Sequence, residues 1–212
     1  MEGKLRIGVF YDGHFYSDMS HWYKYKGPFR KRLSLKAIPQ YLRMRVANLE
    51  EARLIDCLVV EQHFFRGRPR ITNFNVDEEQ AIKLAKNQMF DDVLIHEGIT
   101  VHNHLNTSRG KEKGVDVNLA VTAMESALKG DLDVAIFITG DADFVPLLRK
   151  LHQQGVTTVV GGWNDSSLAA QGDTTMTSNH LLQNATYGLD LKQEFQELHD
   201  SKSELFEALF VD

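Results

Sequence analysis

The corner Thr139-Gly140-Asp141-Ala142-Asp143 places two carboxylates in one tight turn, directly after the apolar run Val134 to Ile138. An apolar run without alternation is how a strand buried on both faces of a parallel sheet reads. Open α/β sheets bind ligands at the carboxyl ends of such strands. Asp12 stands in a similar position after the run Leu5 to Phe10, followed by the turn-permitting Gly13. Asp116 begins a helical pattern, where a carboxylate belongs at the N-terminus and is held off the core. Like carboxylates raise one another's pKa unless a cation neutralises them, and a divalent metal does so. Hard oxygen donors favour magnesium or manganese over zinc. A hydrated ion on such a cluster equips a chain for in-line attack on a phosphodiester. Each aspartate alone reads more readily as a cap or a turn residue; three such corners together point to a shared site.

Other candidates carry less. His102 and His104 alternate and share a face, which suits a metal, yet solvent-facing histidines on an edge strand are commoner and no third soft ligand is evident. The single cysteine, Cys57, excludes an internal disulfide and a cysteine-rich zinc site, and its apolar neighbours make it a buried, inert thiol. The net charge of -5 conceals a polarity along the chain. Lys24, Lys26, Arg30, Lys31, Arg32, Lys36, Arg43 and Arg45 fall in a stretch without acids, whereas the chain from Asp190 onward is mostly acidic. The basic stretch is interleaved with His21, Trp22, Tyr23, Tyr25 and Phe29. Cations for phosphates and aromatic faces for bases make a single-stranded nucleic-acid platform; the same stretch also reads as an ordinary loop whose aromatics pack on the core.

The elements that position these residues follow from periodicity. With 212 residues, 42% hydrophobic and 25% charged, one globular domain with some elaboration is expected. Neither a signal-peptide pattern nor a bilayer-spanning apolar run is found, so a cytoplasmic protein without membrane contact is expected. Strands are expected at Leu5 to Phe10, Leu58 to Phe65, Val93 to Ile95 with Ile99 to Leu105, Val134 to Ile138 and Val156 to Val160. Helices are expected over Ile38 to Ile55, Asp77 to Phe90 and from Asp116, the last with Val117, Ala120, Val121, Met124, Ala127 and Leu128 as its core face. Further helices are expected after Asp143, which stands as its N-cap, at Ser166 to Ala170 and over Leu189 to Phe210. Strands alternating with helices imply an α/β fold with a mostly parallel central sheet covered on both faces.

Asp12-Gly13 after a strand, Lys113-Gly114-Val115-Asp116-Val117 opening a helix, and Thr139-Gly140-Asp141-Ala142-Asp143-Phe144 before Val145-Pro146-Leu147-Leu148 resemble the three signatures of NYN domains, the LabA-like branch of the PIN-like nucleases. The resemblance runs from Leu5 to about Ala185. It implies a three-layer α/β/α PIN-like fold and a magnesium- or manganese-dependent ribonuclease with catalytic Asp12, Asp116, Asp141 and Asp143, the first three holding the metal. Its partner would be single-stranded RNA gripped by Lys24, Lys26, Arg30, Lys31, Arg32, Lys36 and Lys113, and it admits a homo-oligomer. The domain would span residues 1–188, with a basic-aromatic insertion at about 14–39 and an acidic amphipathic helix over 189–212. The chain departs from the pattern at Phe15, where relatives have asparagine, and at Thr122, where they have aspartate. Losing the latter carboxylate weakens a metal site, for which Asp165 or Asp173 are possible substitutes. Two alternatives stand beside the ribonuclease: an RNA- or protein-binding regulatory module of the same fold, and a haloacid-dehalogenase-like phosphatase, which lacks its second aspartate at His14.

Overall fold

The computed structural model describes residues 3–27, 29–68, 77–106, 113–163 and 176–211. The chain begins with β1 (Leu5–Asp12), α1 (Gly13–Tyr25), a short β2 (Arg32–Leu33) and α2 (Ala37–Leu49). It continues through β3 (Cys57–Arg68), α3 (Glu78–His96), β4 (Thr100–Leu105), α4 (Val115–Leu128) and β5 (Val134–Ile138). After α5 (Val145–Gln153) come β6 (Thr157–Gly162), α6 (Asn179–Asn184) and β7 (Tyr187–Asp190), then α7 (Leu191–Asp200), α8 (Glu204–Ala208) and β8 (Phe210–Val211).

Six strands form one sheet in the order β4-β3-β1-β5-β6-β7, and every neighbouring pair in it is parallel. The α/β sheet expected from the sequence is therefore present and wholly parallel. Its central strands are apolar on both faces because both are covered. Ile7, Val9, Tyr11 and Phe64 face a core built with α1, α2 and α7. Phe10, Phe65, Ala135 and Phe137 face a second core closed by α4 and α5. From β1 the chain first winds outward through β3 to β4, then returns to build β5, β6 and β7 on the other side. The winding reverses between β1 and β5, and a crevice at the carboxyl ends of those two strands follows from that reversal. Asp133 fixes their register from the amino ends, accepting from the Arg6 amide at 2.8 Å and pairing with its guanidinium at 2.9 Å.

Several expected elements are placed differently. Val93 to Ile95 belongs to α3, whose cap Asp77 accepts from the Gln80 amide at 2.8 Å, and β4 begins only at Thr100. The expected core face of α4 is divided: Ala127 is buried and Ala120 and Met124 pack partly buried against the core, but Val117, Val121 and Leu128 are exposed, and the buried line runs through Val115, Leu119, Ala123, Ser126 and Ala127. The helix is apolar around most of its circumference, and the side with small residues approaches the sheet more closely. Leu189 to Phe210 is not one helix; Leu189 and Asp190 belong to β7, α7 ends at Asp200, and the chain breaks at Lys202, with φ +52°, before Ser203 caps α8. The basic-aromatic stretch forms α1, β2 and the start of α2 rather than a loop. The expected helix at Ser166 to Ala170, along with Asp165 and Asp173, lies outside the described residues.

Candidate active site

The reversal between β1 and β5 brings Asp12 and the Thr139-Gly140-Asp141 corner together. Asp12 is the last residue of β1 and the N-cap of α1, so its Oδ1 accepts from the amides of His14 at 3.1 Å and Phe15 at 3.2 Å. Thr139, fully buried after β5, donates its hydroxyl to Asp12 Oδ2 at 3.0 Å. Both carboxylate oxygens are thereby oriented: Oδ1 accepts two hydrogen bonds, and Oδ2 accepts one and retains a lone pair. Gly13 is required by close approach: a Cβ there would lie 2.5 Å from the Phe65 carbonyl oxygen and 2.5 Å from Phe64 Cε1. Gly140 has the same reason, since its Cβ would meet Phe15 Cε2 at 2.6 Å. Gly13 thus lets α1 close on β3, and Gly140 lets the β5 corner close on α1.

Asp141 caps the 3-10 turn Ala142–Phe144 by accepting from the Asp143 amide at 2.8 Å. This corrects the expectation that Asp143 caps the following helix: Phe144 stands there, and the Asp143 carboxylate is exposed. Asp12 and Asp141 line one cleft of about 360 Å³ with His14, Phe15, Asp18, Gly140, Ala142 and Met176. That volume admits a hydrated ion beside a phosphodiester group but not a duplex. Asp116 lies in the first turn of α4, behind a left-handed Gly114 with φ +81°. It is not a lining residue, yet its charge reaches Asp12. Burial pushes the Asp12 carboxyl above the usual carboxylate range and Asp116 adds to the rise, while the Phe15 amide, the Thr139 hydroxyl and His14 oppose it.

Asp18 was not anticipated. It lies one turn beyond His14 on α1, 3.5 Å from the His14 ring, and adds a carboxylate to the cleft. The signal was present in the apolar spacing Phe15, Tyr16, Met19, Ser20 and Tyr23, which is the buried face of α1 and puts Asp18 at its margin. Thr122, where an acid was expected, makes only a long 3.5 Å contact with Asn118. Phe15, the other departure, is buried against Trp163 with ring centroids 5.7 Å apart.

The remaining predicted residues spread more widely. Lys24 and Lys26 stand at the far end of α1, where Lys24 is about 16 Å along the helix axis from Gly13. Arg30 donates to the Tyr25 carbonyl, Arg32 lies in β2 against Val211 of β8, and Lys36 is exposed before α2. Lys31 pairs with Glu207 at 3.2 Å and Arg45 with Glu194 at 2.9 Å, so the acidic tail neutralises part of the basic stretch. Tyr23 is buried, and Phe29 packs against Phe206 and Phe210. Tyr23 and Phe29 thus pack on the core, as one reading of the stretch expects, whereas Tyr25 is exposed with its ring stacked on His21. His102 hydrogen-bonds His63 at 3.0 Å and His104 bonds Asn118 at 2.9 Å, both beneath α4 rather than facing solvent.

Among the described residues, no three His, Cys, Asp or Glu side chains are already gathered into a metal-holding group. The donors nonetheless suit a hard ion, because magnesium is commonly held by one or two carboxylates and completes its shell with water. Asp12 and Asp141 supply two such carboxylates across one cleft, with Asp18 beside them.

No helix among the described residues is long and apolar enough to cross a membrane. The chain is similar to an uncharacterized protein of Methanocaldococcus jannaschii, 34% identical over 82 residues, which is 39% of this chain but only 30% of that relative's length. Its fold is similar to the crystal structure of a protein of unknown function from Vibrio parahaemolyticus, with a TM-score of 0.56 and 18% identity, covering 90% of this chain and 95% of the other. The NYN domain family matches residues 6–191, close to the whole span that carries the sheet and the aspartate cleft. By that match and by its parallel PIN-like sheet, the chain belongs to the NYN domain family.

Proposed function

We propose that the protein is a magnesium- or manganese-dependent ribonuclease acting on single-stranded RNA at the β1–β5 cleft. The observation that carries this reading is Asp12: a carboxylate oriented through both oxygens, raised by burial and by Asp116, and sharing an open cleft with Asp141 and Asp18. A folded chain retains such an uncompensated arrangement where a cation completes it.

Asp12 and Asp141 would hold the ion directly, with Asp116, Asp18 and Asp143 holding its waters. When bound, the ion supplies an ionised water as nucleophile and neutralises charge on the phosphate and the leaving oxygen. Thr139 and the His14 and Phe15 amides keep Asp12 aimed into the cleft during this chemistry. Phe15 and Met176 give the cleft an apolar wall for a ribose or base. Lys24, Lys26 and Lys36 are outlying contacts for longer RNA.

Cleavage of single-stranded RNA in manganese or magnesium, stopped by chelator, is the expected result. Asp141→Asn removes a ligand worth several kcal/mol in the transition state, so turnover falls by about 10³-fold. Unaltered cleavage by that variant would refute the assignment. A second reading, RNA binding without turnover, is favoured by Thr122 in place of an acid and by the open spacing of the carboxylates. It predicts salt-sensitive RNA binding with no products in any metal.

A further inference from the structure

On the opposite side of Asp12 from Asp141, two arginines converge on one carboxylate. Arg66 and Arg68, at the end of β3, both pair with Asp91 of α3. Arg66 also donates to Asn103 Oδ1 at 3.2 Å and to the Asn87 carbonyl at 3.2 Å, and lies 5.2 Å over the Phe90 ring. Arg66 and Asp91 are buried, whereas the Arg68 side chain keeps 30% of its surface in solvent. One carboxylate offsets one guanidinium, so the triad keeps a net positive charge. Burial, and secondarily the like charge of Arg68, push Arg66 down to about 10. The Arg68 Nε is buried and has no hydrogen-bond partner among the described residues.

Strand register places this charge relative to the cleft. Asp12 lies opposite Phe65, so Arg68 is three residues farther along β3, about 10 Å past the Asp12 level. Lys113 is brought to the same end of the sheet. Arg68 pairs with Leu105 of β4, and its carbonyl accepts from the Asn106 amide at 2.8 Å. His104 next to it comes within 3.9 Å of where a Cβ on Gly114 would sit, and exposed Lys113 immediately precedes that glycine. Adjacent strand residues point to opposite faces, so Arg68 projects on the α3 face of the sheet while His104 and the α4 N-terminus with Lys113 lie on the other. The two cations therefore bracket the carboxyl edge beside Asp12 from opposite faces.

We propose that Arg68 and Lys113 form a cationic rim that grips the phosphate backbone of single-stranded RNA and leads the strand from the β3–β4 end across Asp12. The proposal rests on reading the cleft as a ribonuclease site. A guanidinium held on one edge by Asp91 still presents N–H donors to a phosphate, and Arg66 fixes Asp91 from beneath so that Arg68 is aimed rather than mobile. On this path the strand meets the rim first, and the segment Lys24 to Lys36, partly neutralised by the acidic tail, later.

The test is binding of a fluorescent single-stranded RNA of about 12 nucleotides in chelator, followed by anisotropy across roughly 50 to 200 mM salt. Arg68→Gln and Lys113→Gln are each expected to flatten the plot of log affinity against log salt by about 0.7, and the double variant by about 1.4. Arg68→Lys keeps the charge and should keep the slope, which separates phosphate contact from misfolding. Lys150→Gln, exposed on α5, should leave the slope unchanged. A double variant with wild-type slope and affinity overturns the rim. Metal-dependent cleavage of the same RNA is scored separately. Cleavage with an unchanged double-variant slope overturns the rim alone. Binding with the reduced slope but no cleavage overturns the ribonuclease reading alone, and a wild type that binds no RNA overturns both.

Discussion

Asp12 is the residue on which most of the proposed chemistry turns, and its environment makes a prediction about stability. Its carboxyl is raised in the fold, chiefly by burial and then by Asp116. A raised carboxyl favours the folded state below its unfolded pKa, and that contribution is lost as pH rises through the folded value. At neutral pH the buried charge is thus a liability without a cation. Asp12→Asn should raise the melting temperature of the metal-free protein at pH 7 by about 2–4 °C, corresponding to about 1 kcal/mol, and abolish the stabilisation that manganese gives the wild type. Differential scanning calorimetry with and without manganese measures both; a variant that melts lower at pH 7 and still responds to manganese would contradict this account. Asp12 and Asp141 were legible because each follows an apolar strand. Asp18 is hidden because the segment of α1 reads from sequence as a basic-aromatic platform or loop, its lysines and aromatics masking an ordinary buried face. Asp143 was misread for a smaller reason: an extra 3-10 turn moves the helix start past it.

At the scale of elements, the cleft depends on how closely α1 and α4 approach the sheet. Gly13 lets the first turn of α1 touch β3, and a Cβ there meets backbone, which cannot swing aside. Gly13→Ala should cost about 1–3 kcal/mol and move Asp12 from Thr139, seen as a lower urea midpoint together with weaker manganese binding. A wild-type midpoint would show that α1 sits farther out. Helix α4 separates its two apolar faces by experiment in the same way. Leu119→Ala, on the buried side, should cost about 2–5 kcal/mol, whereas Val121→Ala, half-exposed, should change stability by no more than about 0.5 kcal/mol. Equal costs would mean that the two faces are assigned wrongly. Periodicity located α4 but not its inner face, because a helix apolar nearly all round carries no directional signal. The strands β1, β5 and β6 were legible for the opposite reason: continuous burial leaves an apolar run of strand length bounded by turn residues, which a covered parallel strand explains. Val93 to Ile95 was misplaced because a short apolar triplet reads alike at the end of a helix and in a strand.

Across the whole molecule, two features of the sequence acquire meaning only through topology. The charge polarity between the basic stretch and the acidic tail is partly an internal match, with Lys31 on Glu207 and Arg45 on Glu194, and β2 pairing with β8 brings the two segments together. No local pattern announces that pairing, since it joins segments at opposite ends of the chain. The aspartates separated in sequence converge because the strand order reverses between β1 and β5, as the carboxyl-edge argument expects of an open α/β sheet. In the proposed ribonuclease, that convergence makes the β1–β5 cleft a divalent-metal centre. The most direct check is a crystal soaked in manganese and measured for anomalous scattering. The account predicts a peak within about 2.5 Å of carboxylate oxygens from Asp12 and Asp141, lost in Asp141→Asn. A manganese peak elsewhere in the molecule, or a cleft that stays empty while the soaked crystal diffracts well, would contradict it.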